Sequence, residues 1–547
     1  MNFCYEKYRS YNLLFFFLSI MTGGCLSVFL QYEISWDFAN YHYYNPWAFL
    51  NDRMGYDIAA GALNSYLNPL VDIPLYLLIK YFNDYPKFIM FMQGIWAGLL
   101  LFSFFKLAVL YFDRDSLKGK IGIFLTLLIA LTGNAFFLQI GTSSNEIPIA
   151  FLVMTALYLL IKDIFFDKRS RLWIFIVAGF LLGSAMGLKL TAVIYCLSIG
   201  LSLILFYKQI DKPWQKISLF ALAGLCGFLV FNGFWMWKMW QEFQNPFFPF
   251  ANELFKSEFL LYENLRDMTF LPQDWKQIWF WPLFLSFKFL FTPFGMITID
   301  YRPALVFILF IIYVLKKLVC YIRCKKVEIK PDFAFLIIFT LISFILWEVI
   351  FSITRYYIVI EMIGAIFIVK AIWGYSFRSF IAEVLYYTFV VLMLFVLVTT
   401  PYFSDSWGSR KGNNRASFDK ERFVNVENVN IPNDTLLLLY SYPVSMAIPF
   451  LAERTENLRA IVFREKMKYT NSEKDVFDLP KWKLITDKIY EDHRGPKFAL
   501  FAFSRGYQIN VRNAFNDMKC RFLDNNIGIQ WYLCVPPEWQ DYVWVKD

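Results

Sequence analysis

Four charged side chains stand where an apolar chain has reason to avoid them. Asp37 lies in "SWDFANYHYYNPWAFLNDR", Ser35 to Arg53, just past the first long apolar run. Glu146 lies in "GTSSNEIP", Lys189 in "GSAMGLKLTAV" and Arg355 in "SITRYYIVIE". Each adjoins a run apolar enough to enter hydrocarbon, where a charge is costly unless paired or used. A carboxylate desolvated among aromatic rings becomes a better proton acceptor, able to take the proton of an attacking hydroxyl. The two cations suit an anion, Arg as a planar fork and Lys as a point charge. Together these groups suit displacement at a carbon bonded to a phosphate oxygen, with a base for the incoming alcohol and positive charge for the leaving group.

Each residue also has a plain reading. Trp36, Asn40, Tyr43 and Trp47 share one face at helical spacing, which suits a helix lying along a membrane surface with Asp37 solvated. Glu146 complements a helix N-terminus, with Ser144 or Asn145 as cap. Lys189 and Arg355 snorkel to lipid headgroups. His42 is either a second proton acceptor or a structural hydrogen-bonding group.

The elements that must position these residues are membrane helices. The 547 residues are 58% hydrophobic and only 18% charged, against about a quarter charged in a soluble domain. Runs near 11–31, 88–111, 121–138, 147–165, 172–188, 190–207, 217–237, 303–318, 333–352, 356–374 and 380–400 read as spans, about eleven in all. The first is too long, and followed by too acidic and aromatic a segment, to be a cleaved signal. Trp279–Met296, "WFWPLFLSFKFLFTPFGM", reads either as a further span or as an interfacial helix; its prolines and Lys288 suit the latter.

Basic loops such as "KDIFFDKRSR" and "YKQIDKPWQK" alternate with "QIGTSSNEIP", which has no Lys or Arg. The positive-inside bias therefore places the N-terminus in the cytoplasm, and an odd span count places the C-terminus outside. Long outer loops run over about 32–86 and 238–302. The second contains "EFQNPFFPFANELFKSEF", which either packs as an interfacial loop or covers the lipid or grips the polar head of a bound substrate.

The expected organisation is a membrane module over 1–404 and an extracytoplasmic α/β domain over 405–547. In the latter, "TLLLLYS", "RAIVF", "KFALFAF" and "WYLCV" read as strands. "CRFL" and "QWYLC" flank a "DNNIG" turn and read as a hairpin, so a Cys520–Cys534 disulfide is expected in an oxidising compartment. The other cysteines show no metal-site spacing, and His42 and His493 are the only histidines, so a His-rich metal centre is excluded. The charge of +9 sits largely in short loops and needs no nucleic acid to explain it.

The order of motifs resembles the GT-C glycosyltransferases, in particular the branch of protein mannosyltransferases and aminoarabinose transferases. It consists of an acid after the first span, an acid in the second outer loop, a "GLKLT" turn, an "RYY" before a late span and an outward C-terminal domain. The resemblance covers about 1–400 and implies a multi-pass α-helical protein; the overall style of the chain suggests a bacterial cytoplasmic membrane. The resemblance also implies inverting transfer of a sugar from a polyprenyl-phosphate donor to an acceptor hydroxyl on a glycan, lipid or protein. Asp37 would be the base, Glu146 the second-loop acid, and Lys189 and Arg355 the donor-phosphate ligands. Trp36, Asn40, Tyr41, His42, Tyr44 and Tyr356 are the candidate substrate contacts. Where the family often has two adjacent acids, Asp37 is followed by Phe38. No cofactor is demanded, and a divalent metal is left open. A transporter or flippase, an outer-face glycan polymerase or ligase, and a non-catalytic assembly partner are the competing readings.

Overall fold

All eleven apolar segments form helices. The computed structural model describes residues 2–33, 35–262, 265, 268, 270–286, 300–324, 329–373, 379–403, 415–416, 421–463, 476–502 and 517–544. The helices are α1 (Asn2–Leu30), α2 (Pro86–Ala108), α3 (Leu117–Leu131), α4 (Glu146–Ile161), α5 (Leu172–Leu188), α6 (Val193–Leu205), α7 (Pro213–Phe243), α8 (Arg302–Cys324), α9 (Pro331–Ile350), α10 (Ile358–Ile372) and α11 (Phe380–Phe403). Seven of them, α1, α2, α4, α7, α8, α9 and α11, are long and apolar enough to cross a membrane. The other four have 15, 17, 13 and 15 residues. The eleven expected spans thus become seven of crossing length and four shorter helices among the described residues. The shortening has a local cause. Extended backbone at Lys189 separates α5 from α6, and a tight turn over Thr354–Tyr357 precedes α10. Two of the candidate charges sit at these breaks.

The chain divides into two units. The first contains 1–33, 90–232 and 267–415; the second contains 34–89, 233–266 and 416–547. This differs from the expected division at 404/405, because the two long segments after α1 and from the end of α7 fold with the C-terminal chain. Trp275–Ser286 is helical, with a break at Phe280 and Pro282 inside it. The remainder of the 279–296 segment, including Lys288, lies outside the described residues.

The main apolar core of the first unit is drawn chiefly from α2 to α6, α9 and α10, including Phe104, Leu157, Phe175, Phe339 and Ile363. Between membrane helices, backbones approach through small residues. A Cβ on Gly183 would lie 1.8 Å from the Gly224 carbonyl oxygen, so only glycine lets α5 cross α7 there.

The second unit is built on a five-stranded sheet of β1 (Leu436–Leu439), β2 (Arg459–Val462), β3 (Lys497–Ala502), β4 (Lys519–Leu523) and β5 (Trp531–Val535), in spatial order β2-β1-β3-β5-β4. These are the five apolar runs read as strands. β1 is parallel to β2 and β3, while β5 is antiparallel to β3 and β4. All four leucines of β1 are buried, as in a parallel strand covered on both faces. The cover includes Ile58, Tyr66, Trp235 and Phe243 from the two long segments. Ile58 also bonds to the edge strand, its amide donating to Ala460 at 2.9 Å and its carbonyl accepting from Val462 at 3.0 Å. Cys520 and Cys534 face each other across the β4–β5 pair and are disulfide-bonded. Cys25, Cys196, Cys226 and Cys320 are free thiols.

Candidate active site

In the first unit three of the four charges converge. Glu146 is the first residue of α4, with its side chain buried. Lys189 donates from Nζ to Glu146 Oε1 at 2.6 Å. Arg355 Nε lies 3.6 Å from the same oxygen. The break between α5 and α6 aims Lys189 inward, and the turn before α10 does the same for Arg355. Both cations keep part of their surface exposed, 21% and 27% of the side chain, whereas Glu146 keeps 4%. Glu146 Oε2 accepts no hydrogen bond among the described residues. A cleft lined by Glu146, Lys189, Thr191, Tyr195, Arg355 and Tyr356 opens beside the cluster.

Tyr356 supports both cations. Its ring centroid is 5.7 Å from Lys189 Nζ and 5.3 Å from Arg355 Cζ, within cation–π range. Its backbone is held by Tyr195, whose hydroxyl donates to the Tyr356 carbonyl at 2.6 Å. Gln139 Nε2 donates to the Arg355 carbonyl at 3.1 Å. Neither Tyr195 nor Gln139 was a candidate from sequence. The only signal for Gln139 is that it opens the same Lys-free loop that ends in Glu146. A second charged cluster also escaped the sequence reading. Glu361 accepts from the Ala135 and Phe136 amides at 3.0 and 3.1 Å. Arg302 pairs with Asp300 at 3.0 Å and donates to the Ile129 and Leu397 carbonyls. These contacts tie α10 and α8 to the segment that leads into Gln139.

The fourth charge, Asp37, belongs to the second unit. It has helical backbone, is half-buried, and opens a π-helical turn over Phe38–His42 that runs on into a helix over Tyr44–Leu50. Ser35 caps the start, its Oγ accepting from the Phe38 amide at 3.0 Å. The π turn inserts an extra residue and shifts the helical register. Trp36 is therefore 45% exposed while Asn40, Tyr43 and Trp47 are buried. This corrects the surface-helix reading: apart from Trp36, the rings are core. Tyr43 stacks on Phe450 at 5.6 Å, and Phe38 sits edge-on to Phe423.

The candidate contacts of this segment divide. His42 Nδ1 lies 2.7 Å from Asp72 Oδ1, both groups buried, so Asp72 orients the imidazole. Tyr41 is buried against the His42 ring. Tyr44 is buried and donates to Asp57 Oδ2 at 2.8 Å. Burial raises the Asp57 carboxyl above its ordinary value despite the pull of Arg53. Asn40 donates to the Gly61 carbonyl at 3.0 Å. Tyr44 and Asn40 are thus engaged in holding the unit together. Among the described residues no three His, Cys, Asp or Glu side chains come together as metal ligands, so no step is assigned to the divalent ion left open above.

No protein-family model and no curated protein matches the chain. Solved structures do. ArnT from Cupriavidus metallidurans bound to undecaprenyl phosphate is similar at a TM-score of 0.54 and 12% identity, over 95% of this chain and 97% of that one. The same protein in the apo state gives 0.53 and 12%, over 97% and 98%. The fold is ArnT-like. The multi-pass helical architecture with a C-terminal α/β domain, expected from the order of motifs, is therefore the one found. The ArnT-like fold and its apolar helices make the chain an integral membrane protein.

Proposed function

We propose that this protein is a glycosyltransferase that moves a sugar from a polyprenyl-phosphate donor to an acceptor hydroxyl, with inversion, on the outer face of the membrane. The observation that carries the reading is the convergence of Lys189 and Arg355 on one buried carboxylate beside a cleft. Two cations and one carboxylate leave a single net positive charge, which complements the single negative charge of a phosphodiester donor. When the sugar leaves, the phosphate gains a second negative charge. The cations then interact more strongly with the transition state than with the ground state, which is what lowers a barrier. Glu146 contacts both cations, and its proposed role is to position them and to limit their repulsion.

Asp37 is assigned the base. It is half-buried, at the start of a turn whose backbone is fixed. It takes the acceptor proton as the new glycosidic bond forms, and the donor's carbon–oxygen bond breaks with its electrons going to phosphate. The likeness to an ArnT solved with undecaprenyl phosphate supports a donor of this lipid class. A cytoplasmic N-terminus and an extracytoplasmic second unit follow from the distribution of basic loops.

The test is incubation of the purified full chain with a panel of labelled undecaprenyl-phosphate sugars and simple alcohol, glycan and lipid acceptors. Release of undecaprenyl phosphate matched by labelled product supports the transferase. In proteoliposomes, movement of intact donor between leaflets without cleavage would replace it with the flippase.

A further inference from the structure

We infer that the C-terminal sheet sets the geometry of the Asp37 turn, and that Ser445 and Met446 are the positioning residues that do so. The inference rests on reading Asp37 as the base. Two successive carbonyls of the π turn, Ala39 and Asn40, accept hydrogen bonds from two successive residues of the segment that leaves β1. The Met446 amide donates to Ala39 at 3.1 Å, and the Ser445 hydroxyl donates to Asn40. Ser445, Met446 and Asn40 are all buried, so each bond is shielded from water. The helix that follows, Ala447–Ala452, carries Phe450, which stacks on Tyr43 with planes 7° apart. On its other side the turn is held by the Asn40 side chain on Gly61. A Cβ on Gly61 would come within 2.6 Å of the Asn40 carbonyl, so glycine is needed for that approach.

The location has a topological meaning. β1 lies between β2 and β3 and is parallel to both, so the chain's progress across the sheet reverses there. In open α/β sheets the crevice at the carboxyl end of the strand where the order reverses is where ligands bind. Here the segment leaving that end of β1 holds the chain's own 37–43 turn. π turns are rare and recur at functional sites. The C-terminal segment supplies this one with two hydrogen-bond donors. On this view it is a clamp on the base, and need not bind the acceptor to be required for turnover.

The test uses the full chain in detergent. Ser445→Ala removes one donor to the turn. Ser441→Ala is the control: among the described residues its hydroxyl bonds within the sheet, to the backbone of Ala502 at 2.8 and 2.9 Å. Ser445→Ala is expected to speed amide exchange over 37–43 by about fivefold, the effect of losing one buried hydrogen bond, with exchange in β3 unchanged. Unchanged exchange over 37–43 would overturn the clamp whatever Asp37 does. In turnover on the donor sugar found with the panel above, Ser445→Ala is expected to lower kcat by about fivefold at constant donor KM, with Ser441→Ala at wild-type rate. Added to Asp37→Asn, Ser445→Ala should cost nothing further, because it acts through Asp37. An equal loss in Ser441→Ala, or two losses that multiply in the double variant, would overturn the positioning role. Full activity of Asp37→Asn alone would instead remove the base assignment, and the exchange result would still decide whether the clamp exists.

Discussion

The two units hold their candidate charges by different means. In the first, side chains do the holding: Lys189 and Arg355 meet a buried Glu146, and Tyr356 lies beside both. In the second, backbone does it: the turn that begins at Asp37 is fixed by bonds to the carbonyls of Ala39 and Asn40. The contrast follows from solvent. Inside a membrane unit a charge is tolerated when another charge answers it. In the second unit the turn is held through its backbone carbonyls, so its geometry does not depend on a charge partner for Asp37. In the proposed mechanism the first arrangement binds an anion and the second aims a base.

The contrast can be broken by mutation. Asp37→Asn is expected to lower turnover on the order of 10²–10⁴-fold while leaving donor affinity and melting temperature near wild type, since it removes a proton acceptor and little packing. A variant with normal turnover would end the assignment of Asp37. Glu146→Ala has the opposite profile. It leaves two cations without their buried partner, and is expected to cost about 3 kcal/mol of stability, read as a lowered melting temperature that added undecaprenyl phosphate partly restores. No loss of stability would mean that the cluster is not a coupled unit.

Two smaller effects sharpen the comparison. Reduction of Cys520–Cys534 should destabilise the second unit by about 3 kcal/mol in the chain-entropy picture and leave the first unit's donor affinity untouched. Thiol labelling of intact cells with an impermeant reagent should find these two thiols only after reduction; labelling without reductant would show them unpaired in the cell. Arg355→Lys should recover only part of the affinity lost in Arg355→Ala, a deficit of about 1–2 kcal/mol if the guanidinium binds phosphate with two bonds. Complete recovery would make Arg355 a simple point charge.

Much of the fold was legible because its signals are local. Apolar length marks membrane helices, and the "TLLLLYS" and "RAIVF" runs mark buried strands without knowledge of their neighbours. The charged residues Glu146, Lys189 and Arg355 were legible because a lone charge beside an apolar run is conspicuous. What escaped depends on long-range placement. Gln139 and Tyr195 act through the carbonyls of Arg355 and Tyr356, a role that side-chain type does not advertise. Glu361 lies far along the chain from Asp300 and Arg302, and from the Ala135 and Phe136 amides it accepts from. The π turn broke the periodicity that made Trp36, Asn40, Tyr43 and Trp47 look like one face. The rings after Asp37 read as a membrane belt because composition alone does not distinguish an interfacial ring from one stacked on Phe450.

The central claim is that positive charge in the first unit binds the donor phosphate while Asp37 in the second drives the chemistry. It is tested most directly by measuring donor affinity and single-turnover rate separately in Lys189→Ala, Arg355→Ala and Asp37→Asn, with one labelled undecaprenyl-phosphate sugar. The expected result is weakened affinity and a slowed step in the two cation variants, and wild-type affinity with a slowed step in Asp37→Asn. Wild-type affinity in both cation variants, or an Asp37→Asn enzyme that reacts at the wild-type rate, would contradict it.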